Sequence, residues 1–404
     1  MNNDYDILVI GAGIHGAGVL QAAAAHGYSC LLLEQHSEPA LGTSSRSSKL
    51  IHGGLRYLET GDFRLVFECL RERKLLLRNA PSLVKLKPFV IPVYQTSQHS
   101  AWQIRLGLSL YSMLAGLGKN VRFKCLEASS WQQFPGLKQT GLEQVYQYAD
   151  AQTDDGALTR AVLSSARSLG AEIRYNVALQ QVLYENQAYR VNVVCKTSGL
   201  PQTITVKSVV NAAGPQVNQV MDLIRPQAVK IEIEWVRGSH IILPGPASEY
   251  IYYLESPRDQ RAVFVMPWQG RVLIGTTEQI HDGNPDEPSP EQQEISYLLD
   301  VFNLYFPQYY GKNPATEDMI VNSFAGLRVL PKDGQRPFQR SRETRFAYDN
   351  EKKPQLLAIY GGKLTSYRAT AEKVIHKLAG QLPKRQARGD TRRLSLRDPD
   401  HASS

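Results

Sequence analysis

The sequence predicts an α/β protein: a discontinuous, Rossmann-like dinucleotide-binding domain with an antiparallel-sheet domain inserted into it. Three observations carry this. A buried-strand pattern, Asp6-Ile7-Leu8-Val9-Ile10, runs into Gly11-Ala12-Gly13-Ile14-His15-Gly16 and then into Ala-rich sequence, the order strand, tight turn, helix. Residues 230–277 hold alternating strand patterns, from Lys230–Val236 through Ser239–Leu243 and Ala262–Met266 to Arg271–Gly275. A second buried-strand pattern, Leu356–Tyr360, returns late in the chain and ends in Gly361-Gly362 before a helix.

The 404 residues exceed what one core usually holds, ~250–300, so two domains are expected. The expected division gives residues 1–90, 145–225 and 320–380 to the dinucleotide domain. Residues 91–144 and 226–319 go to the substrate domain, and 381–404 to a mobile basic tail. A hydrophobic share of 42% and a charged share of 21% are globular values and exclude a disordered, collagen-like or coiled-coil chain. No apolar run reaches the ~18 residues of a membrane-spanning helix, and Met1-Asn2-Asn3-Asp4 lacks the positive start of a secretory signal. Lys and Arg number 46 against 38 Asp and Glu, a formal charge of +8 that favours anionic partners without choosing among them. Cys30, Cys69, Cys125 and Cys195 have no metal-ligand spacing and read as reduced core thiols.

Between these landmarks, Ala17–Ala25 forms a helix stopped by Gly27, and Ser29–Leu33 a second strand ending at Glu34. Residues 42–58 are too rich in small polar residues for a core element and too apolar at their end for a linker. Helical patterns cover 62–80, 102–118, 154–170, 290–305 and 364–379, and 171–210 reads as two strands around a loop.

The glycines state a chemistry. Gly11 permits the tight turn, Gly13 lets a pyrophosphate approach the backbone, and Gly16 packs helix on strand. Helix amides then face the anion, and Glu34 stands where a carboxylate takes ribose hydroxyls. This pattern alone does not separate FAD from NAD. The hydroxyl-rich segment Thr43–Tyr57, the strand-to-turn element Val210–Pro215 and the late glycine pair Gly361-Gly362 together favour a flavin, whose reduced form a helix N-terminus would stabilise. Arg56, Arg328 and Lys363 are cations beside glycines in apolar surroundings, suited to hold a phosphomonoester. His240 follows Gly238-Ser239 and is a candidate site histidine; His15, His36 and His52 are weaker candidates.

The run from Thr43 to Glu59 closely resembles the signature of FAD-dependent, aerobic-type glycerol-3-phosphate dehydrogenases. So do Arg237–His240, Ile274–Thr277, Gly326–Arg328 and Gly361–Arg368. The resemblance spans about residues 4–380. It implies a D-amino-acid-oxidase-like fold, non-covalent FAD and oxidation of sn-glycerol 3-phosphate to dihydroxyacetone phosphate, with electrons passed to a membrane quinone. The chain departs from the family pattern at Ala157, Glu278 and Val329, and ends near 404 where the family continues into a helical domain. The implied chemistry is hydride transfer from C2 to flavin N5, with the hydroxyl proton going to His240 or to a base organised by Arg328. His240, Arg328 and Lys363 are thus the expected catalytic groups; Arg56, Tyr57, Arg328 and Lys363 would hold the phosphate. Expected FAD contacts are Gly11, Gly13, Ile14, His15, Gly16 and Glu34, then Thr43, Ser44, Ser45, Ser48, Lys49, Leu50, His52 and Gly53. Leu179, Ala213, Gly214, Gly326, Gly362, Lys363, Leu364 and Thr365 complete the set.

Two competing readings stand beside this one: a related flavoprotein acting on a 2-hydroxy acid or amino acid, and a non-catalytic flavin- or RNA-binding protein. The basic tail interleaves no aromatic residues with its arginines, so no nucleic-acid partner is expected. The stretch Trp102–Leu117, with Arg105 and Lys119 near its ends, suits either a core helix or an anionic membrane surface. The expected location is cytoplasmic, with peripheral attachment to the inner face of the cytoplasmic membrane as the extension of that second use.

Overall fold

The protein is described here by a computed structural model, over residues 4–59, 61–116, 122–245, 248–332 and 343–398. Strand β1 (Asp4–Ile10) is buried at every residue after Asp4, because both its faces are covered. It pairs in parallel with β2 (Cys30–Leu33) on one side and with the strand Pro201–Asn211 on the other. The helix between, α1 (Ile14–Ala25), is buried all round except at His15. Its small residues allow this: Gly18 has no Cβ because the Tyr367 ring lies 2.7 Å from where one would stand. Helices Asp155–Ser168 and Tyr367–Leu378 pack against α1.

Among the described residues, nine strands form this first sheet. Its parallel centre also takes in Leu356–Tyr360, which pairs with Val209–Asn211, and Glu172–Arg174, which pairs with β2. The region 171–210 holds four strands where two were expected: Glu172–Arg174, Val177–Glu185, Ala188–Cys195 and Pro201–Asn211. The last is long enough to pair antiparallel with Ala188–Cys195 at its start and parallel with β1 at its end.

Among the described residues, the second sheet has ten strands and is antiparallel except where Ile251–Glu255 meets Val84–Tyr94. The two patterns expected at 230–236 and 239–243 form one strand, Ile233–Leu243. Gly238 does not break it; the missing Cβ makes room for the Arg328 guanidinium, 2.7 Å from where that Cβ would be. The sheets also divide the chain elsewhere than expected. Val84–Tyr94, Leu142–Thr153 and Asn322–Pro331 belong wholly to the second sheet, so segments around 84–90, 145–153 and 320–331 leave the first layer.

The basic segment beyond 381 is a second correction. Its described part is docked, not mobile. The Arg388 amide donates to the Ala25 carbonyl at 2.7 Å, the Arg385 guanidinium pairs with buried Asp6 at 2.8 Å, and the Leu396 amide donates to the Asn79 carbonyl at 2.7 Å. Leu396 is buried in the core that packs α1. Residues 399–404 lie outside the described residues. The thiols differ too: Cys30 and Cys69 are buried, but Cys125 is exposed and Cys195 half-buried.

Candidate active site

A cavity of about 710 Å³ opens between the two sheets, at the carboxyl ends of β1, Pro201–Asn211 and Leu356–Tyr360. This is where an open α/β sheet binds its ligand. One end is built from backbone. Gly11 has φ +101°, and a Cβ there would stand 2.8 Å from the Ala212 carbonyl oxygen; one at Gly16 would stand 1.9 Å from that of Gly11. Glu34 borders this end, and its carboxylate already accepts from the Ala12 amide at 2.7 Å and the His36 amide at 3.0 Å. It therefore clamps the end of β2 onto the glycine turn as well as facing the cavity.

The hydroxyl-rich segment forms the wall beside it. Ser44 Oγ accepts from the Ile14 amide at 2.9 Å, and Thr43 Oγ1 donates to the Leu327 carbonyl at 2.8 Å, so the segment joins α1 to the second sheet. Its inner face is held by Asp155. One carboxylate oxygen accepts from Ser47 Oγ at 2.6 Å and the other from Lys49 Nζ at 2.5 Å. Burial pushes the Asp155 carboxyl above the usual range despite the Lys49 cation. The Lys49 amine also donates to the Ser45 carbonyl and lies 5.3 Å from the Trp268 and Phe324 ring centres. It is thus turned into the protein and is not on the cavity wall.

The opposite end gathers side chains from five separate segments. Gly362 has φ +100°, and a Cβ there would lie 2.3 Å from His15 Nε2. Burial lowers the His15 pKa to about 4, so its imidazole is neutral. Lys363 Nζ sits 3.4 Å over the Tyr57 ring centre and has no hydrogen-bond partner among the described residues. The Arg328 guanidinium donates to the Thr277 carbonyl at 3.3 Å and Thr276 Oγ1 at 3.2 Å, with a Glu278 oxygen 3.6 Å away. Burial and the Arg56 charge lower its pKa to about 10, which leaves it a cation at neutral pH. His240 stacks on Phe324, ring centres 4.8 Å apart, and its Nε2 lies 2.9 Å from Ser48 Oγ. Burial, then Arg328 and Lys49, lower its pKa to about 3, so it too is neutral.

Most of the expected site residues border this one cavity: Gly11, Gly13, Ile14, His15, Glu34, Thr43, Ser44, Ser48, Leu50, His52, Tyr57, Leu179, Ala213, Gly214, His240, Gly326, Arg328, Gly362, Lys363, Leu364 and Thr365. Gly16, Ser45, Lys49, Gly53 and Arg56 do not. Gly16 packs behind the turn, and Gly53 is tied by its amide to the Tyr111 hydroxyl at 2.8 Å. Arg56 acts on Arg328 through its charge. Sequence reasoning missed Asp155. It also missed the contact of Gln216 with Asp286, which joins the first sheet's side to the second at the rim. The seat of Arg328 is braced in turn: Thr277 Oγ1 donates to Glu294 at 2.5 Å, and Glu294 accepts from Arg237 at 2.7 Å. The departure at Glu278 falls inside this seat. Val329 lies opposite Trp235 in the strand pair, and the Ala157 amide caps onto Asp154 at 2.9 Å.

The glycine cradle and the buried Lys363 amine, without a hydrogen-bond partner among the described residues, fit an anionic dinucleotide. Comparison with known proteins agrees. A family profile described as "FAD dependent oxidoreductase" matches residues 6–368. A glycerol-3-phosphate dehydrogenase of Pseudomonas aeruginosa is 37% identical over 380 residues, 93% of this chain and 71% of that protein. The D-erythritol 1-phosphate dehydrogenase of Brucella abortus is 35% identical over 381 residues, 94% of this chain and 74% of that one. Among solved structures, the glycerol-3-phosphate dehydrogenase from Bacillus halodurans complexed with FAD superposes with a TM-score of 0.72 at 25% identity, covering 97% of this chain and 68% of that one. An L-alpha-glycerophosphate oxidase from Mycoplasma pneumoniae with FAD bound superposes at 0.76 and 15% identity over 97% and 98% of the two chains, a likeness of fold.

Proposed function

The chain belongs to the FAD dependent oxidoreductase family, and we propose that it oxidises the secondary alcohol of a polyol phosphate, sn-glycerol 3-phosphate foremost, to the ketone. The fold is the D-amino-acid-oxidase-like one, the cofactor is FAD, and the protein is an oxidoreductase. The observation that carries the substrate reading is the cation set at the end of the cavity away from the glycine turn. Arg328 and Lys363 border it, Arg56 stands behind, and no carboxylate oxygen approaches Arg328 closer than 3.6 Å among the described residues. A phosphate dianion would complete that set, with the Arg328 fork as its main contact.

Bound FAD supplies the acceptor for the hydride leaving C2. The chain's own part is to orient and to handle the proton. Arg328, charged at neutral pH, anchors the phosphate and accepts no proton. His240, neutral and joined to the cavity wall through Ser48, is the group able to take one. The residues proposed to hold FAD are the cavity-lining members of the expected set, from Gly11 to Thr365. The first layer is proposed as the cofactor domain and the second sheet as the substrate domain. Electrons would pass on to a quinone at an anionic membrane surface on the cytoplasmic side. Helix Ala101–Leu114 supports this by exposing Trp102 (66%), Leu106 (62%) and Met113 (56%) beside exposed Phe63 and Phe67 of the helix Phe63–Asn79. The same helix buries Leu108 and Tyr111, so only one of its faces is offered. Leu117 and Lys119 lie outside the described residues. No helix among the described residues is long and apolar enough to cross a membrane.

A second polyol phosphate, D-erythritol 1-phosphate, is a reading favoured by the Brucella abortus relative. Steady-state assay with an artificial acceptor tests both. Turnover of one of the two phosphates, with glycine, proline and lactate unused, supports the proposal; turnover of the carboxylates alone rejects it.

A further inference from the structure

Neither ring nitrogen of His240 is open to a substrate. The residue is 1% exposed. One face of the ring stacks on Phe324 at an interplanar angle of 13°, and the ring lies 2.0 Å from where a Cβ on Gly275 would be, so the side chain is held in one plane. Nδ1 is buried and makes no hydrogen bond among the described residues, and Nε2 lies against Ser48 Oγ at 2.9 Å. Ser48 itself is half-buried and borders the cavity. The hydroxyl is therefore what a bound alcohol can touch, and the imidazole is what stands behind it.

We propose that Ser48 is a catalytic proton relay between the substrate hydroxyl and His240. This rests on the polyol phosphate reading and adds the path of the proton. The substrate O–H bond breaks and its proton passes to Ser48 Oγ, while the Ser48 proton passes to His240 Nε2. The C2–H bond breaks with its electron pair leaving as hydride to FAD, and the C2–O double bond forms. The substrate is oxidised by two electrons, FAD is reduced by two, and His240 ends protonated. The charged groups facing His240 are Arg328, from the strand Asn322–Pro331, and Lys49, from the hydroxyl-rich segment. Burial first, and then these two charges, keep the imidazole unprotonated before substrate arrives. The arrangement also gives the Ser47-Ser48 pair a division of labour: Ser47 Oγ is spent on Asp155, and Ser48 Oγ faces the reaction.

The test uses the near-isosteric pair Ser48→Thr and Ser48→Val on the FAD-loaded full chain. Under anaerobic mixing with polyol phosphate, Ser48→Val should reduce its flavin ~100-fold or more slowly than the parent, and Ser48→Thr should recover most of that loss. FAD content and the half-saturating substrate concentration should change little, and the parent's solvent deuterium effect on the reduction step should vanish in Ser48→Val. Nitrogen NMR of histidine-labelled protein gives a readout without turnover: His240 should show Nε2 as an unprotonated acceptor whose shift changes in Ser48→Val. Equal reduction rates per bound flavin in the two variants, or a protonated Nε2 in the resting protein, would overturn the relay. Bleaching of the parent flavin by glycerol 3-phosphate or erythritol 1-phosphate separately tests the substrate reading; failure of both removes that reading and the relay with it.

Discussion

The two ends of the cavity are built by opposite means. At the glycine turn the donors are backbone amides, and the side chains matter mainly by being absent. Gly11 and Gly16 leave gaps that any Cβ would fill against the Ala212 and Gly11 carbonyls. At the far end Arg328, Lys363 and His240 do the work as side chains, yet glycines opposite them are needed for space: Gly238 for the Arg328 guanidinium and Gly275 for the His240 ring. The first end is local in sequence, made within 24 residues from Gly11 to Glu34. The second is assembled from the hydroxyl-rich segment, two strands of the second sheet and the turn after Leu356–Tyr360. Affinity for the dinucleotide and choice of substrate should therefore fail separately.

The largest effect should come from the backbone end. Gly11→Val forces a branched side chain into φ +101° and onto the Ala212 carbonyl. The variant should keep no FAD through gel filtration, read as flavin absorbance per protein; a variant that stays yellow would show that the cradle tolerates side chains. The side-chain end should behave in the reverse way. Arg328→Ala should retain FAD and lose about tenfold to several hundredfold in kcat/KM for glycerol 3-phosphate, the worth of a charge-assisted contact of ~1.5–3 kcal/mol and more. Unphosphorylated glycerol should lose much less, and Arg328→Lys should recover part. Equal losses for both substrates would make Arg328 a structural or catalytic group and not the phosphate anchor.

A third effect concerns pH. His15 and His240 are held neutral, with pKa values near 4 and 3 against an ordinary 6.5. Between those values and pH 6.5 the unfolded chain binds protons that the native protein refuses. Stability is therefore full above about pH 6.5 and falls as pH drops toward 3–4, by ~1.4 kcal/mol per pH unit for each such group. His240→Gln should flatten the fall in Tm between pH 6.5 and 4. An unchanged slope would mean that His240 is protonated in the native state.

The same contrast explains what was legible in the sequence. A turn that depends on missing side chains writes itself as glycines at fixed spacing, so Gly11, Gly13, Gly16 and Glu34 could be read directly, and the parallel strands around them followed. Residue type was also legible at the far end, but placement was not. Lys49 was taken for a cofactor contact because nothing in its neighbourhood shows that Asp155, 106 residues later, takes its amine. Arg56 is not on the cavity wall for which it was chosen. The docked segment beyond 381 was hidden for another reason. Its composition is basic and polar, and what fixes it is backbone hydrogen bonds to Ala25 and Asn79 and one buried leucine, which composition does not record.

The most direct measurement is anaerobic titration of the FAD-loaded protein with sn-glycerol 3-phosphate, following flavin absorbance and assaying the ketone product. Bleaching of the flavin with about one dihydroxyacetone phosphate formed per FAD is the predicted result, as expected of a two-electron oxidation. A flavin that stays oxidised with polyol phosphates but is bleached by an amino acid or a 2-hydroxy acid would contradict the account, and would turn Arg328 from a phosphate anchor into a carboxylate one.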